Sequence, residues 1–144
     1  MITYTDTITV EDYNMLRASA GWSVIHPEQA EAGLKGSALL IAAKDGERIV
    51  GTARLVWDGG YAALIKDVLV LPEYQGQSIG TALMTQIMDY LNSRLKPGYS
   101  IQVDLMAAKD KEGFYEKFGF AKRPRDNRGA GMDMWIKGYI GALN

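Results

Sequence analysis

The order of apolar segments predicts an α/β (α+β) protein, with a mixed, mostly antiparallel twisted sheet of about six to seven strands flanked by about four helices. Three observations support this class. Strand-like runs follow one another through the first half of the chain, the hydrophobic period changes to that of a helix after Pro72, and strand-like runs return after Gly98. A strand, a helix and a strand in succession need a crossover connection, so at least one strand pair is expected to be parallel.

The amino-terminal elements are predicted to be a short strand and two helices. Residues 2–5 fit an edge strand, and Thr9 followed by Asp12 resembles a capping box that opens a helix through about Ser19. Pro27 stands at a first-turn position, where its missing N–H is tolerated, and predicts a short second helix after it.

A meander of three antiparallel strands is predicted next. The apolar runs 37–43 and 48–57 are joined across Asp45-Gly46, a dipeptide that favours a two-residue hairpin turn. Asp58-Gly59-Gly60 repeats the turn signal before a third run, 61–71. These runs form the centre of the predicted sheet.

A long helix follows the meander. Ile79, Leu83, Ile87 and Leu91 recur every four residues and mark one apolar face, and Pro97-Gly98 is expected to end the helix. The remaining predicted elements are a strand over 99–106, a short helix over 109–117 stopped by Gly119, and a closing hairpin made by the segment from Phe120 onward and by residues 132–136.

Composition indicates one ordinary globular domain. The chain has 144 residues, of which 47% are hydrophobic and 23% charged, a balance typical of proteins that fold alone. The net charge of -1 disfavours binding to nucleic acid, which needs a basic surface. The absence of cysteine excludes disulfides, zinc-thiolate sites and a cysteine nucleophile, and fits a reducing compartment. We therefore expect a cytoplasmic protein with no metal, no membrane span and no export signal.

The stretch from Val68 to Thr81 carries the chemical signal. It reads as a strand that passes through a short glycine-containing loop into a helix. Free N–H groups at a helix start, together with the helix dipole, bind phosphate, and glycine allows close approach to the backbone. Neither the three-glycine dinucleotide fingerprint nor the P-loop ending Gly-Lys-Ser/Thr is present. The alternative is that Gly76 and Gly80 only shape a tight turn.

The loop segment Gln75-Gly76-Gln77-Ser78-Ile79-Gly80 is similar to motif A of one family, the GCN5-related (GNAT) N-acetyltransferases. That motif is Gln/Arg-x-x-Gly-x-Gly/Ala, and Ser78 stands in place of its first signature glycine. Phe114-Tyr115-Glu116-Lys117-Phe118-Gly119-Phe120 is similar to a second signature, a helix with tyrosine that ends at Gly-Phe. The resemblance implies a single N-acetyltransferase domain over 1–137, with a short carboxyl-terminal tail over 138–144.

The resemblance also implies a function. Acetyl-CoA would be the co-substrate, and its acetyl group would pass to a primary amine by direct attack in a ternary complex, with either a small amine or a peptide amine as acceptor. A strand bulge would free one backbone N–H for the thioester carbonyl, at Leu69, Val70 or Leu71. The predicted cofactor contacts are these three residues and the loop residues Gln75, Gly76, Gln77, Ser78, Ile79, Gly80 and Thr81.

Catalytic roles are assigned with their alternatives. By resemblance, Tyr115 is the general acid for the coenzyme A thiolate, since a phenol stays protonated at neutral pH; the alternative is a packed tyrosine with its hydroxyl at the rim. Asp67 and Asp104 are candidate bases that act through water, or else carboxylates paired with an arginine or lysine. His26, the sole histidine, is a candidate for the acceptor site, or else a surface or capping residue.

Further features stay open between two interpretations. Aromatic residues either line an acceptor pocket or belong to the core, namely Trp22, Trp57, Tyr61 and Trp135. The basic cluster 122–128 is either a solvated loop or a contact for anionic groups. A non-catalytic acyl-CoA sensor is the alternative function, and a homodimer is compatible with the apolar tail.

Overall fold

The computed structural model describes residues 1–138. The predicted tail, 138–144, thus lies outside the described residues except for Gly138. Contacts divide the chain into two compact units, Met1–Leu105 and Met106–Asn144. Each unit is described by itself.

The first unit contains a sheet and three α-helices. Its sheet has five strands in the order β1-β2-β3-β4-β5, antiparallel at every pair except β4 and β5, which are parallel. The predicted fold class and the predicted parallel pair are therefore confirmed. In chain order the elements are β1 Ile2–Thr5, α1 Val10–Ser19, α2 Pro27–Lys35, β2 Leu39–Asp45, β3 Arg48–Trp57, β4 Ala62–Val70, a 3-10 turn Pro72–Tyr74, α3 Ile79–Ser93 and β5 Gln102–Asp104.

Local sequence signals account for most element ends. The Thr9 hydroxyl accepts a hydrogen bond from the Asp12 N–H over 3.1 Å and caps α1. Pro27 opens α2 as predicted. Gly46 has φ of +61° in the turn between β2 and β3, a conformation that glycine adopts without steric cost.

The side chains of β3 show that α1 and α3 pack on opposite faces of the sheet. Ile79 of α3 lies 3.4 Å from where a Cβ on Gly51 would stand. Arg54, three positions further along β3, reaches the same Asp67 carboxylate as Arg17 of α1. Successive side chains of a strand alternate between faces, so an odd separation puts α1 and α3 on opposite faces. The core on the α3 side includes the buried residues Ile79, Leu83, Met84, Ile87 and Leu91.

The second unit, described over 106–138, contains one short helix, α4 Glu112–Glu116. Gly119, with φ of +98°, follows it as predicted. The predicted closing hairpin is wrong for the described residues, because beyond Phe120 they form only an isolated bridge between Arg125 and Arg128.

Residues 1–138 accordingly form a sheet of five strands, below the predicted six to seven. The apolar residues of the predicted last strand are largely exposed, with Met132 at 88% and Ile136 at 88%. An alternating apolar pattern becomes a strand only where a partner supplies ladder hydrogen bonds and burial, and no ladder partner for 132–136 exists within residues 1–138.

Several element boundaries also differ from expectation, and the predicted helix 109–117 shortens to α4, Glu112–Glu116. The long helix ends at Ser93, four residues before Pro97, and the predicted strand 99–106 shortens to β5, Gln102–Asp104. Within residues 1–138, no helix is both long enough and apolar enough to cross a membrane.

Candidate active site

A bulge interrupts β4 opposite Ala53. The register pairs Thr52 with Leu69 and Arg54 with Lys66, so two residues of β4, Asp67 and Val68, face one residue of β3. Asp67 has φ of +56°, in the left-handed region. A bulge of this kind bends the strand and leaves backbone groups without ladder partners.

Of the three predicted backbone donors, only one has an N–H that points away from β3, as the alternation of hydrogen bonds beyond the bulge shows. The Leu71 N–H donates to the Val50 carbonyl over 2.9 Å, so this donor is already used. Hydrogen-bonded and non-hydrogen-bonded pairs alternate in an antiparallel ladder. Val70, paired with Gly51, therefore directs its N–H and C=O away from β3, whereas Leu69 faces β3. The Val70 carbonyl accepts the Gln75 side-chain amide over 3.1 Å.

The edge of β4 opposite β3 is only partly covered within the first unit. β5 pairs with β4 only from Ala62 to Leu64. From Lys66 to Val70, β4 has no strand partner on this edge among residues 1–105. This open edge can pair with an extended ligand that carries amide groups.

The predicted phosphate loop joins this edge to α3. Gly76 has φ of +81° with no atom within 4 Å of a would-be Cβ, and Ser78 has φ of +64° at the N-cap of α3 without a side-chain capping bond. The Ala82 N–H makes a 3.0 Å bond to the Ser78 carbonyl, so the N–H groups of residues 79–81 precede the first intrahelical bond. The first turn contains no acidic residue, and its positive end is well suited to an anion.

Two further contacts tie the 3-10 turn before the loop to the turn between β2 and β3. The Tyr74 hydroxyl donates to the Asp45 carboxylate over 2.6 Å, and Arg48 pairs with Glu73 over 2.8 Å. The hydrogen bond from Tyr74 lowers the pKa of Asp45, and the same bond, with some desolvation, raises the pKa of Tyr74. These contacts hold the entrance of the loop.

Asp67 lies at the centre of a buried polar cluster. Its carboxylate accepts hydrogen bonds from the Tyr13 hydroxyl at 2.7 Å, from Arg17 Nη1 at 2.8 Å and from Arg54 Nε at 2.7 Å. These contacts match the alternative in which the carboxylate is paired with arginine. The predicted role of Asp67 as a base stays a prediction.

The other two candidate residues are a helix cap and an exposed strand position. His26 is the N-cap of α2 and accepts the Glu28 N–H at Nδ1 over 3.2 Å, which is the capping interpretation. Asp104 is exposed at the end of β5. Among residues 1–138, no group of three or more His, Asp or Glu side chains is arranged to hold a metal ion.

Tyr115 belongs to α4 in the second unit. It is buried, and its ring makes edge contacts with Phe114 at 5.0 Å and with Phe120 at 6.3 Å between centroids. Burial raises the pKa of the Tyr115 phenol. The side chain therefore keeps its proton at any physiological pH, as a general acid requires.

The remaining predicted contacts are mostly exposed. Tyr61 and Trp135 are 67% and 65% exposed, so neither belongs to the core. In the basic cluster, Arg123 and Arg125 donate to backbone carbonyls of their own loop, which fits a solvated loop.

Three residues of the buried cluster around Asp67 escaped the sequence analysis, namely Tyr13, Arg17 and Arg54. A signal was present. Arg54 stands between the apolar residues Ala53 and Leu55 in the middle of β3, and Arg17 lies four residues after Tyr13 on the buried face of α1. A charged residue at an inward-facing position of a buried element implies a buried partner.

The comparison with known proteins agrees with this geometry. A sequence profile described as "Acetyltransferase (GNAT) domain" matches residues 35–122, more than half of the chain. The chain belongs to the GNAT acetyltransferases. It is 30% identical over 129 residues to the uncharacterised N-acetyltransferase ycf52 of Porphyra purpurea, covering 87% of this chain and 72% of that one.

Structural and more distant relatives extend the assignment of this GNAT protein. A probable acetyltransferase from meticillin-resistant Staphylococcus aureus has a TM-score of 0.84 at 35% identity, covering 94% of this chain and all of that one. A chloroplastic serotonin N-acetyltransferase of Oryza sativa is 35% identical over 88 residues, 61% of this chain and 42% of its own length. The GNAT family implies acetyl-CoA as co-substrate and an amine-containing acceptor.

Proposed function

We propose that this GNAT acetyltransferase moves the acetyl group of acetyl-CoA to a small primary amine by direct attack in a ternary complex. One observation carries the proposal: the open edge of β4 leads directly into a helix start whose first N–H groups are free and whose first turn lacks acidic residues. Acetyl-CoA has both chemical parts that such a surface accepts, an amide-bearing pantetheine and a pyrophosphate.

The loop residues fit the pyrophosphate. The glycine at position 76 leaves space above the backbone, and the N–H groups of Ile79, Gly80 and Thr81 supply the donors. Gln75, Gln77 and Ser78 are exposed around them. The open edge from Lys66 to Val70 is the corresponding surface for the pantetheine amides.

The transfer step assigns a role to two further groups. The amine nitrogen attacks the thioester carbon, the new C–N bond forms, and the C–S bond breaks. Val70 N–H, directed away from β3, stabilises the negative charge that develops on the carbonyl oxygen. By the family resemblance, Tyr115 donates its proton to the departing thiolate and is reprotonated from solvent, to which the attacking amine loses its own proton. Since the sequence contains no cysteine, direct attack is favoured over an acetyl-cysteine intermediate.

A small aromatic amine is the first acceptor to test. The similarity to a serotonin N-acetyltransferase covers 61% of this chain and favours arylalkylamines. A plant histone acetyltransferase is 28% identical over 133 residues, so lysine peptides form the second class. The expected cytoplasmic location, the single domain over 1–137 and a homodimer stay predictions alongside this proposal.

The test combines binding and turnover. Calorimetric titration with acetyl-CoA measures the cofactor site, and release of free thiol measures transfer to tryptamine, polyamines, amino acids and lysine peptides. Binding with amine-dependent release supports the proposal and identifies the acceptor class. Binding without release from any amine supports the acyl-CoA sensor instead, and no binding contradicts both.

A further inference from the structure

One side chain connects the bulge of β4 to the loop between α1 and α2. Arg17 is 7% exposed. Its Nη1 donates to Asp67 over 2.8 Å, while its Nε donates to the Ser23 carbonyl over 2.7 Å. The guanidinium also lies over the Trp22 ring, 5.5 Å from the centroid. A planar guanidinium combines hydrogen bonds in two directions with stacking on an aromatic ring, whereas a lysine ammonium is a compact point charge without that planar surface.

A second residue of α1 holds the same loop. The Asn14 side chain donates to the Ile25 carbonyl and accepts the Ile25 N–H, both at 2.8 Å. Residues 14 and 17 lie three apart and share one side of α1. The loop 20–26 is therefore clamped at both Ser23 and Ile25, with Val24 between them 62% exposed.

The loop 20–26 is held by α1, whereas the phosphate loop leads into α3. The phosphate loop begins α3, which lies on one face of the sheet, and α1 lies on the other. If acetyl-CoA reaches the bulge from the start of α3, the α1 face is the approach left for the amine. Trp22 and Val24 then offer apolar contacts on that side.

We propose that Arg17 is a positioning residue. It holds the loop 20–26 in place beside the strand that binds the acetyl group, so that this loop forms one wall of the acceptor site. The Asp67 carboxylate acts in this arrangement as the anchor for Arg17. This inference rests on the proposed acetyl transfer to an amine, since only then does the loop face an acceptor.

The cluster contains its own matched control. Arg54 also donates to Asp67, at 2.7 Å, and its other contacts are the Gly33 carbonyl at 3.4 Å and the Ser37 hydroxyl at 3.3 Å. Replacing Arg54 therefore removes one cation from the same carboxylate as replacing Arg17 does. The contacts of Arg54 go to Gly33 and Ser37 rather than to the loop 20–26. A purely structural role for the cluster predicts equal effects of Arg17→Met and Arg54→Met.

The experiment compares Arg17→Met, Arg54→Met and wild type by hydrogen exchange and by steady-state kinetics with tryptamine. Only Arg17→Met is expected to raise exchange in residues 20–26 and to raise the tryptamine KM about tenfold or more. The Kd for acetyl-CoA, measured by calorimetry, should stay within about twofold because Tyr13 and Arg54 still hold Asp67, and the hydrogen bonds of Arg17 go to Asp67 and Ser23 rather than to the phosphate loop. Arg17→Lys keeps the positive charge beside Asp67 and repeats the test if Arg17→Met does not fold, since an ammonium lacks the planar guanidinium that spans Asp67 and Ser23.

The outcomes separate this inference from the proposed function. Equal exchange in loop 20–26 for the two arginine variants overturns the positioning role, as does an unchanged tryptamine KM in an active enzyme. Wild-type protein that binds acetyl-CoA and acetylates no amine contradicts the proposed function, and the exchange comparison, which needs no turnover, still decides whether Arg17 holds the loop.

Discussion

The hydroxyl of Tyr13 donates a 2.7 Å hydrogen bond to the carboxylate of Asp67, although the two residues lie 54 positions apart in the chain. The bond connects α1 to the bulge of β4, where Asp67 adopts its left-handed conformation. A hydrogen bond to a buried charged group is stronger than one between neutral groups. The contact thus contributes to holding the bulge that orients the Val70 N–H.

Replacement of Tyr13 by Phe tests this contact. We expect the free energy of unfolding to fall by about 1.5 to 3 kcal/mol, the range for a hydrogen bond to a charged group. Urea denaturation measures the change. Tyr99→Phe, at an exposed position, is the control and should have no effect; equal stability of the two variants would show that the Tyr13 bond is dispensable.

The raised pKa of the Tyr13 phenol predicts a change in stability at alkaline pH. Burial raises the pKa of Tyr13, and the charge of Asp67 and the hydrogen bond raise it further. A pKa that is higher in the folded state contributes stability that is fully present below about pH 10, the value in the unfolded chain, and is lost as pH rises through the folded-state pKa. Wild type should therefore lose stability above pH 10 more steeply than Tyr13→Phe in parallel denaturation curves.

Replacement of Ser78 by Gly should improve both stability and cofactor binding. Ser78 has φ of +64° and makes no capping bond, so the substitution removes a steric cost of about 1 to 2 kcal/mol. Loss of the Cβ also lets an anion approach the backbone more closely. Thermal unfolding and calorimetry with acetyl-CoA measure the two effects. Gly76→Ala, at φ of +81°, should act in the opposite direction; weaker binding by Ser78→Gly would mean that the hydroxyl itself contacts the ligand.

Gly51 is predicted to be required for close approach between β3 and β4. A Cβ at this position would stand 3.0 Å from the Leu69 carbonyl oxygen and 3.4 Å from Ile79. Gly51→Ala should cost about 1 to 3 kcal/mol of stability, as for other overpacked sites, and weaken acetyl-CoA binding because β4 must move. Gly113→Ala, with open space around it, is the matched control. Wild-type affinity in Gly51→Ala would show that the strand spacing is not critical.

Replacement of Tyr115 by Phe tests the proposed general acid. We expect kcat to fall about 100-fold or more, typical of a lost general acid, with the Kd for acetyl-CoA little changed. Since burial raises the pKa of Tyr115, ionisation of this phenol should not limit wild-type activity below about pH 10. Thiol release across the pH range measures both. Phe118→Leu is the control for helix packing, and full activity of Tyr115→Phe would assign the proton to another donor.

Several features of this protein were determined by the sequence alone. The four-residue period from Ile79 to Leu91 predicts α3, since only that period buries one helix face. Asp45-Gly46 predicts the hairpin because few residues adopt positive φ at low cost. The order of strand, loop and helix around Gly76 predicts the connection into α3 for the same local reasons, and its use as an anion site stays a prediction. Each of these depends on contacts between residues near in sequence.

The tertiary structure decided what depends on distant partners. The exposed segment 132–136 has a strand-like pattern and no strand partner within residues 1–138. A local pattern does not supply the ladder bonds and the burial that a strand needs, since these come from residues distant in sequence. The bulge at Asp67 likewise depends on Tyr13, Arg17 and Arg54, which come from a different helix and strand. A carboxylate can be buried in a strand only where folding brings its partners to it, and no local pattern around Asp67 specifies them.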